Sequence, residues 1–195
     1  MRRPHAVADV RGSIPGSLWV WRHPKAIGAA GRCIGRCDLA VDPRKARRLA
    51  HRIRAAARRN GLPREVWTSP LTRAVEVGRW LRRWGWVHHV DARLAELDFG
   101  AWDGRPWDRI AWAEVEAWQR DLMHTRPAGD GETLAELAAR AQAFARERGP
   151  QVTLVVSHGG WMNAARHVTP GVLRIEPDLW PSPPRHGSLI RLGSG

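Results

Sequence analysis

Two stretches of the chain end in a histidine, and the residue types around them could do chemistry together. Leu18-Trp19-Val20-Trp21 runs into Arg22-His23-Pro24, and Val152-Thr153-Leu154-Val155-Val156 runs into Ser157-His158-Gly159-Gly160. A short continuous apolar run bounded by a breaker reads as a buried strand. Residues at such strand ends lie on the rim of the sheet, where open α/β folds place their ligands. Two such strands can bring both imidazoles to one crevice. The polar residues at strand ends and helix starts are Arg22, His23, Arg73, Glu96 and His158. This set suits phosphoryl transfer without a metal ion. Guanidinium binds phosphate oxygens in bidentate fashion and stays charged. A neutral imidazole attacks phosphorus and holds the phosphoryl group covalently. A second imidazole donates hydrogen bonds to the equatorial oxygens as charge builds there. A carboxylic acid kept protonated gives its proton to the departing alkoxide.

The elements that must position these residues follow from pattern and punctuation. A first strand is predicted over roughly Ser17 to Arg22, after a non-periodic arm at residues 1–16. A glycine-rich loop from Gly28 to Asp38 carries Arg32 and Arg36 and suits an anion-facing role. Asp42-Pro43 opens a helix whose buried face is Ala46, Leu49, Ala50 and Ile53, and Asn60-Gly61 ends it. Glu65 to Thr68 reads as a strand, and Ser69-Pro70 as the start of a helix with Arg73 in its first turn, near the positive end of the dipole. Trp86 to Val90 reads as another strand. A helix carrying Trp107, Ile110, Ala111, Val115, Trp118 and Leu122 follows, then one led by Glu132-Thr133. After the second histidine strand, Gly159-Gly160 opens a helix to His167. Pro170 to Gly187 reads as proline-rich loop and Ser188 to Leu192 as a last, edge strand. Alternation of strands and helices predicts an α/β fold, three layers with a mainly parallel central sheet. Residues 17–195 form one domain in this reading.

The 195 residues suffice for one sizeable core. The apolar runs are too short to span a bilayer, so no membrane is expected. No apolar stretch follows Met1-Arg2-Arg3-Pro4-His5, which is unlike a secretory signal, and a cytoplasmic location is the default. The net charge of +13 comes from 32 basic and 19 acidic residues, and only Lys25 and Lys45 are lysines. That balance favours anionic partners. The arginines spread over the helices instead of forming one block, which argues against a nucleic-acid partner. Cys33 and Cys37, the two cysteines, read as structural thiols.

At these residues the chain resembles the histidine phosphatase superfamily, also called phosphoglycerate mutase-like. The resemblance is carried in order by Trp21-Arg22-His23, Gly31-Arg32 through Asp38, Ser69-Pro70-Leu71-Thr72-Arg73-Ala74, Leu94 to Gly100, Gly131-Glu132-Thr133 and Ser157-His158-Gly159-Gly160. It implies that His23 is the nucleophile that becomes phosphohistidine. It further implies that Arg22 and Arg73 clamp the phosphate, with Arg32 and Gly159 also on the phosphate side. His158 would be the second imidazole and Glu96 the general acid. No metal ion and no cofactor is implied. The family usually has Gly after the nucleophile, where Pro24 removes a backbone N–H. Ala26 stands where a hydroxyl residue is common, and Gly28 where asparagine is. Asp98 through Asp108, with Arg126-Pro127, resembles the α-ribazole phosphatase branch. The expected substrate is a small phosphate ester, α-ribazole 5′-phosphate first. Alternatives are a sugar-phosphate or phosphoprotein phosphatase, a phosphoglycerate mutase, or a basic nucleic-acid-binding or adaptor protein on an inactive phosphatase fold.

Other residues read as structural. His88-His89 would point to opposite faces of a strand. His124 would meet the last carbonyls of a helix, and His167 and His186 have no supporting pattern. Of the 12 tryptophans, most read as core. Trp102 and Trp107 flank the Glu96 loop, where one could stack on an aromatic leaving group.

Overall fold

The computed structural model describes residues 17–168 and 180–193. The expected arm at residues 1–16 and residues 170–179 of the expected proline-rich loop lie outside them. The elements run β1 (Ser17–Arg22), α1 (Pro43–Arg59), β2 (Glu65–Thr68), α2 (Thr72–Arg83), β3 (Val87–Val90), α3 (Trp112–Arg120), α4 (Leu134–Arg146), β4 (Val152–Ser157), α5 (Gly159–His167) and β5 (Leu189–Leu192). The fold is α/β, with one five-stranded sheet in the order β3-β2-β4-β1-β5. Every neighbouring pair is parallel except β1 with the edge strand β5, which is antiparallel.

The period of two along β1 sorts its side chains into two cores. Leu18 and Val20 face α4 and α5, packing with Leu137, Ala141, Phe144 and Trp161. Trp19 and Trp21 face α1 and α2, packing with Leu49, Ile53, Val77 and Leu81. Helices therefore cover both faces, which is why the interior strands read as unbroken apolar runs. β1 sends the chain to α1 on one face, and its neighbour β4 sends it to α5 on the other. That reversal makes the carboxyl ends of β1 and β4 a topological switch point, where a crevice must open.

Boundaries differ from the sequence pattern at particular places. α2 begins at Thr72, not at Ser69-Pro70, because the Ser69 hydroxyl accepts the Leu71 N–H at 3.2 Å in a local turn of its own. The expected helix from Trp107 to Leu122 is a 3-10 turn at Trp107–Arg109 followed by α3 from Trp112. Ile110 and Ala111 are extended between them. His124 does not cap a helix with its ring. Its Nδ1 lies 3.1 Å from the Asp121 carboxylate. Among the described residues no helix is long and apolar enough to cross a membrane.

α4 starts with a reciprocal cap. The Thr133 hydroxyl accepts the Glu136 N–H at 3.2 Å, and the Glu136 carboxylate accepts the Thr133 N–H at 2.9 Å. Thr133→Ala removes one half of this cap and is expected to lower the unfolding free energy by about 1 kcal/mol. Urea denaturation with an unchanged slope and a lower midpoint checks this.

Candidate active site

Parallel pairing sets Arg22 opposite Ser157, so the residues that follow, His23 and His158, emerge side by side. Their ring centroids are 4.8 Å apart, and the two residues are 5% and 0% exposed. His23 Nδ1 lies 2.6 Å from the Pro24 carbonyl oxygen. A carbonyl only accepts, so Nδ1 carries the hydrogen and Nε2 keeps its lone pair. Proline at position 24 loses an N–H but keeps the carbonyl that orients the imidazole. His158 Nε2 lies 2.8 Å from Ser69 Oγ. The Ser69 hydroxyl also accepts the Leu71 N–H, and with one hydrogen and two lone pairs it pairs with Nε2 in either tautomer of the ring. His158 Nδ1 is buried with no protein partner among the described residues.

Arg22 and Arg73 flank His23 in the same cavity. Arg22 donates to the Pro184 carbonyl at 2.6 Å. Arg73 donates to the carbonyls of Cys37 at 2.8 Å and Gly35 at 2.6 Å. The Nε–H of each arginine is buried without a protein partner among the described residues. The carboxylate of Asp103 holds the same loop from its other side, accepting N–H groups from Gly35 at 2.8 Å, from Arg36, and from Cys37 at 3.1 Å. Cys33 is buried below this loop, and burial first, then Asp103, pushes its thiol up to about 12. A thiol so held has structural, not nucleophilic, character.

Glu96 is 8% exposed and sits at the start of α5. Its carboxyl accepts the Trp161 N–H at 3.0 Å, the Gly160 N–H at 3.1 Å and its neighbour Leu97 N–H at 3.1 Å. Two glycines allow these approaches. A Cβ on Gly160 would lie 2.6 Å from Glu96 Oε1, and one on Gly159 would lie 3.1 Å from the Arg22 guanidinium carbon. Arg32 stands at the mouth, exposed, donating to the Gly104 carbonyl at 2.8 Å. Arg22, His23, Arg32, Arg73 and Glu96 all line one cavity of about 360 Å³, and His158 lies behind His23. Among the described residues no group of His, Cys, Asp and Glu side chains is placed to hold a metal ion.

Three residues at the site were not assigned to it from the sequence pattern. His186 reaches the site from the loop before β5, its ring centroid 5.2 Å from that of His23 and its Nδ1 3.1 Å from the His23 carbonyl oxygen. No local signal marks it, because its contact is to backbone. Ser69 looked like a helix cap and is instead the partner of His158. Arg140 on α4 grips the Glu96 loop, donating to the carbonyls of Arg93 at 2.7 Å, Ala95 at 2.6 Å and Glu96 at 2.9 Å. Its pairing with Glu132, at 2.6 Å, is the one hint the sequence held, in Gly131-Glu132-Thr133. Trp102 is 1% exposed and donates to Glu114 at 3.0 Å, which makes it core. Trp107 is 38% exposed and lines the cavity.

The family model "Histidine phosphatase superfamily (branch 1)" matches residues 18–184. The chain belongs to this superfamily. A mycobacterial structure described as glucosyl-3-phosphoglycerate phosphatase Rv2419c with VO3 is 25% identical, with a TM-score of 0.70, covering 90% of this chain and 92% of that one. TTHB049 from Thermus thermophilus is 24% identical at TM-score 0.65, covering 90% of this chain and 92% of that one. Bacillus stearothermophilus YhfR shares the fold at 23% identity and TM-score 0.69, covering 90% of each chain. No curated protein matches the chain in sequence. Family and neighbours together support a phosphatase.

Burial is the first cause that holds both imidazoles well below the usual 6.5, followed by the Arg73 charge for His23 and by His23 itself for His158. Both rings are therefore neutral at pH 7. The unfolded chain takes up protons near 6.5 and the folded one only well below it. Stability is full above that pH and falls as the pH drops beneath it. Thermal melts between pH 7.5 and pH 4.5 should show this decline, and His158→Gln should make it shallower.

Proposed function

We propose that the protein is a metal-independent phosphomonoesterase that works through a phosphohistidine at His23. The observation that carries this reading is the set of buried nitrogens without protein partners around His23: Arg22 Nε–H, Arg73 Nε–H and His158 Nδ1. Buried polar groups are rarely left unpaired. A phosphoryl group supplies oxygen acceptors for the two guanidinium donors, and for His158 in the tautomer that carries its hydrogen on Nδ1. With the phosphoryl group so held, the Nε2 lone pair of His23 attacks phosphorus. The ester oxygen leaves with the proton of the Glu96 carboxyl. Water then attacks the phosphohistidine, its proton passing to the Glu96 carboxylate, and inorganic phosphate is released with His23 restored. The same unpaired donors speak against an inactive adaptor, which would have no reason to keep them.

The rest of the cavity supports an apolar, aromatic leaving group. Its far wall is Ile34, Leu97, Phe99, Trp107, Trp118 and Trp180, and Phe99 and Trp107 meet edge to face with centroids 6.0 Å apart. Such a wall favours a flat ring. α-Ribazole 5′-phosphate, which carries a benzimidazole, is the substrate we favour. The mycobacterial neighbour favours a second reading, a phosphorylated sugar acid.

Hydrolysis of para-nitrophenyl phosphate should persist in EDTA and vanish in His23→Ala. Activity that disappears with the chelator would end the metal-free mechanism. Side-by-side kcat/KM values for α-ribazole 5′-phosphate and glucosyl-3-phosphoglycerate decide the leaving group. Trp107→Ala should raise KM about tenfold, the loss of about 1.4 kcal/mol of stacking, for the aromatic ester. An unchanged KM would remove the stacking role.

A further inference from the structure

A second concavity lies against the catalytic one. Five of its lining residues are Lys25, Lys45, Arg48, Arg52 and His186, and among the described residues none that lines it is acidic. Three elements converge to make it: the segment after the nucleophile, one stripe of α1, and the loop before β5. Lys45, Arg48 and Arg52 recur at helical spacing, so they project from one side of α1. α1 carries eight basic and no acidic residues over its 17 positions. The nearest acid, Asp42, is engaged as the helix cap, its carboxylate accepting the Arg44 N–H at 2.8 Å. Gly187, with φ +73°, brings the β5 loop within 3.2 Å of the Arg52 guanidinium, measured from where a Cβ would stand. Lys25 and His186 line both concavities.

Four like charges gathered with no counter-charge among the described residues lining the site repel one another. The cost falls when a multiply charged anion sits among them. We propose that this concavity is a second anion-binding site for a phosphate-type group. The group is either a second phosphate on the substrate being hydrolysed or a free phosphate compound. The first source rests on the phosphatase reading above, and the second does not. No large apolar side chain lines the site besides Leu49, so recognition is by charge and weakens with salt.

The test is calorimetric titration of methylenebisphosphonate into the intact protein and into Lys45→Gln/Arg48→Gln, two exposed positions outside the catalytic cavity. Two equivalents are expected in the wild type. In the variant one of them should weaken at least tenfold, with kcat for para-nitrophenyl phosphate unchanged. Identical isotherms in the wild type and the variant overturn the proposal. Arg52→Gln supplies a second variant with the same expectation. Turnover of butane-1,4-diol bisphosphate against butyl phosphate separates the two sources. A preference for the bisphosphate that the variant loses identifies a substrate-borne group. No preference, with methylenebisphosphonate altering butyl phosphate turnover in the wild type beyond the competition at the catalytic cavity that the variant also shows, identifies a free anion. If no ester is hydrolysed and the variant still loses an equivalent, the anion site stands and the phosphatase reading falls.

Discussion

A buried guanidinium, Arg73, a half-buried one, Arg22, and two buried imidazoles meet around a cavity that, among the described residues, Glu96 alone lines with a carboxyl. That imbalance is the constraint on which the site depends. Removing charge from water is costly unless hydrogen bonds and counter-charge replace the solvent. Here backbone carbonyls do most of the replacing, through Pro184 for Arg22 and through Gly35 and Cys37 for Arg73. Both imidazoles answer the same pressure by staying neutral. Burial thus does two things at once. It keeps the His23 lone pair available, and it leaves a positive field that only an anion completes.

The geometry around that field is held by grips on backbone, and few are ion pairs. Asp103 takes the N–H groups of residues 35–37 while Arg73 takes their carbonyls. Arg140 takes three carbonyls of the Glu96 loop, and the first turn of α5 takes the Glu96 carboxyl itself. Groups preorganised in this way need little rearrangement when charge moves during reaction. Pro24 fits the same logic. What matters at that position is a carbonyl at the right place, which every residue type has.

The parts legible in the sequence were those governed by local pattern. Apolar runs fixed β1 and β4, and their parallel pairing carried His23 and His158 together without further information. The cap at Asp42 marked α1, and Glu132-Thr133 led into α4. What stayed hidden was long-range contact between a side chain and backbone. His186 bonds a carbonyl 163 positions away, and Arg140 bonds carbonyls 44 to 47 positions away. Neither has a spacing to recognise. Ser69 was visible as a polar residue before proline, and the choice between capping a helix and holding His158 was made by tertiary packing. The expected α3 failed for a related reason. Its apolar residues pack on Cys33 and Trp102 from an extended link at Ile110 and Ala111, a geometry that mimics helical spacing.

The cavity is built from two unlike materials. Its phosphate end hangs on the ends of β1 and β4 and on α2 and α5, which belong to the cores. Much of its far wall comes from loops, Ile34 on one and Phe99 and Trp107 on another, beside Trp118 of α3, and Asp103 ties those two loops together. The wall is therefore a separable cassette. Exchanging Ile34 and the Phe99 to Trp107 stretch as a pair would alter which alcohol is released while His23, His158 and Arg22 stay in place on their strands and helices. Exchanging either loop alone would cut the Asp103 tie and let Arg73 drift, so selectivity here changes by paired replacement rather than by single steps.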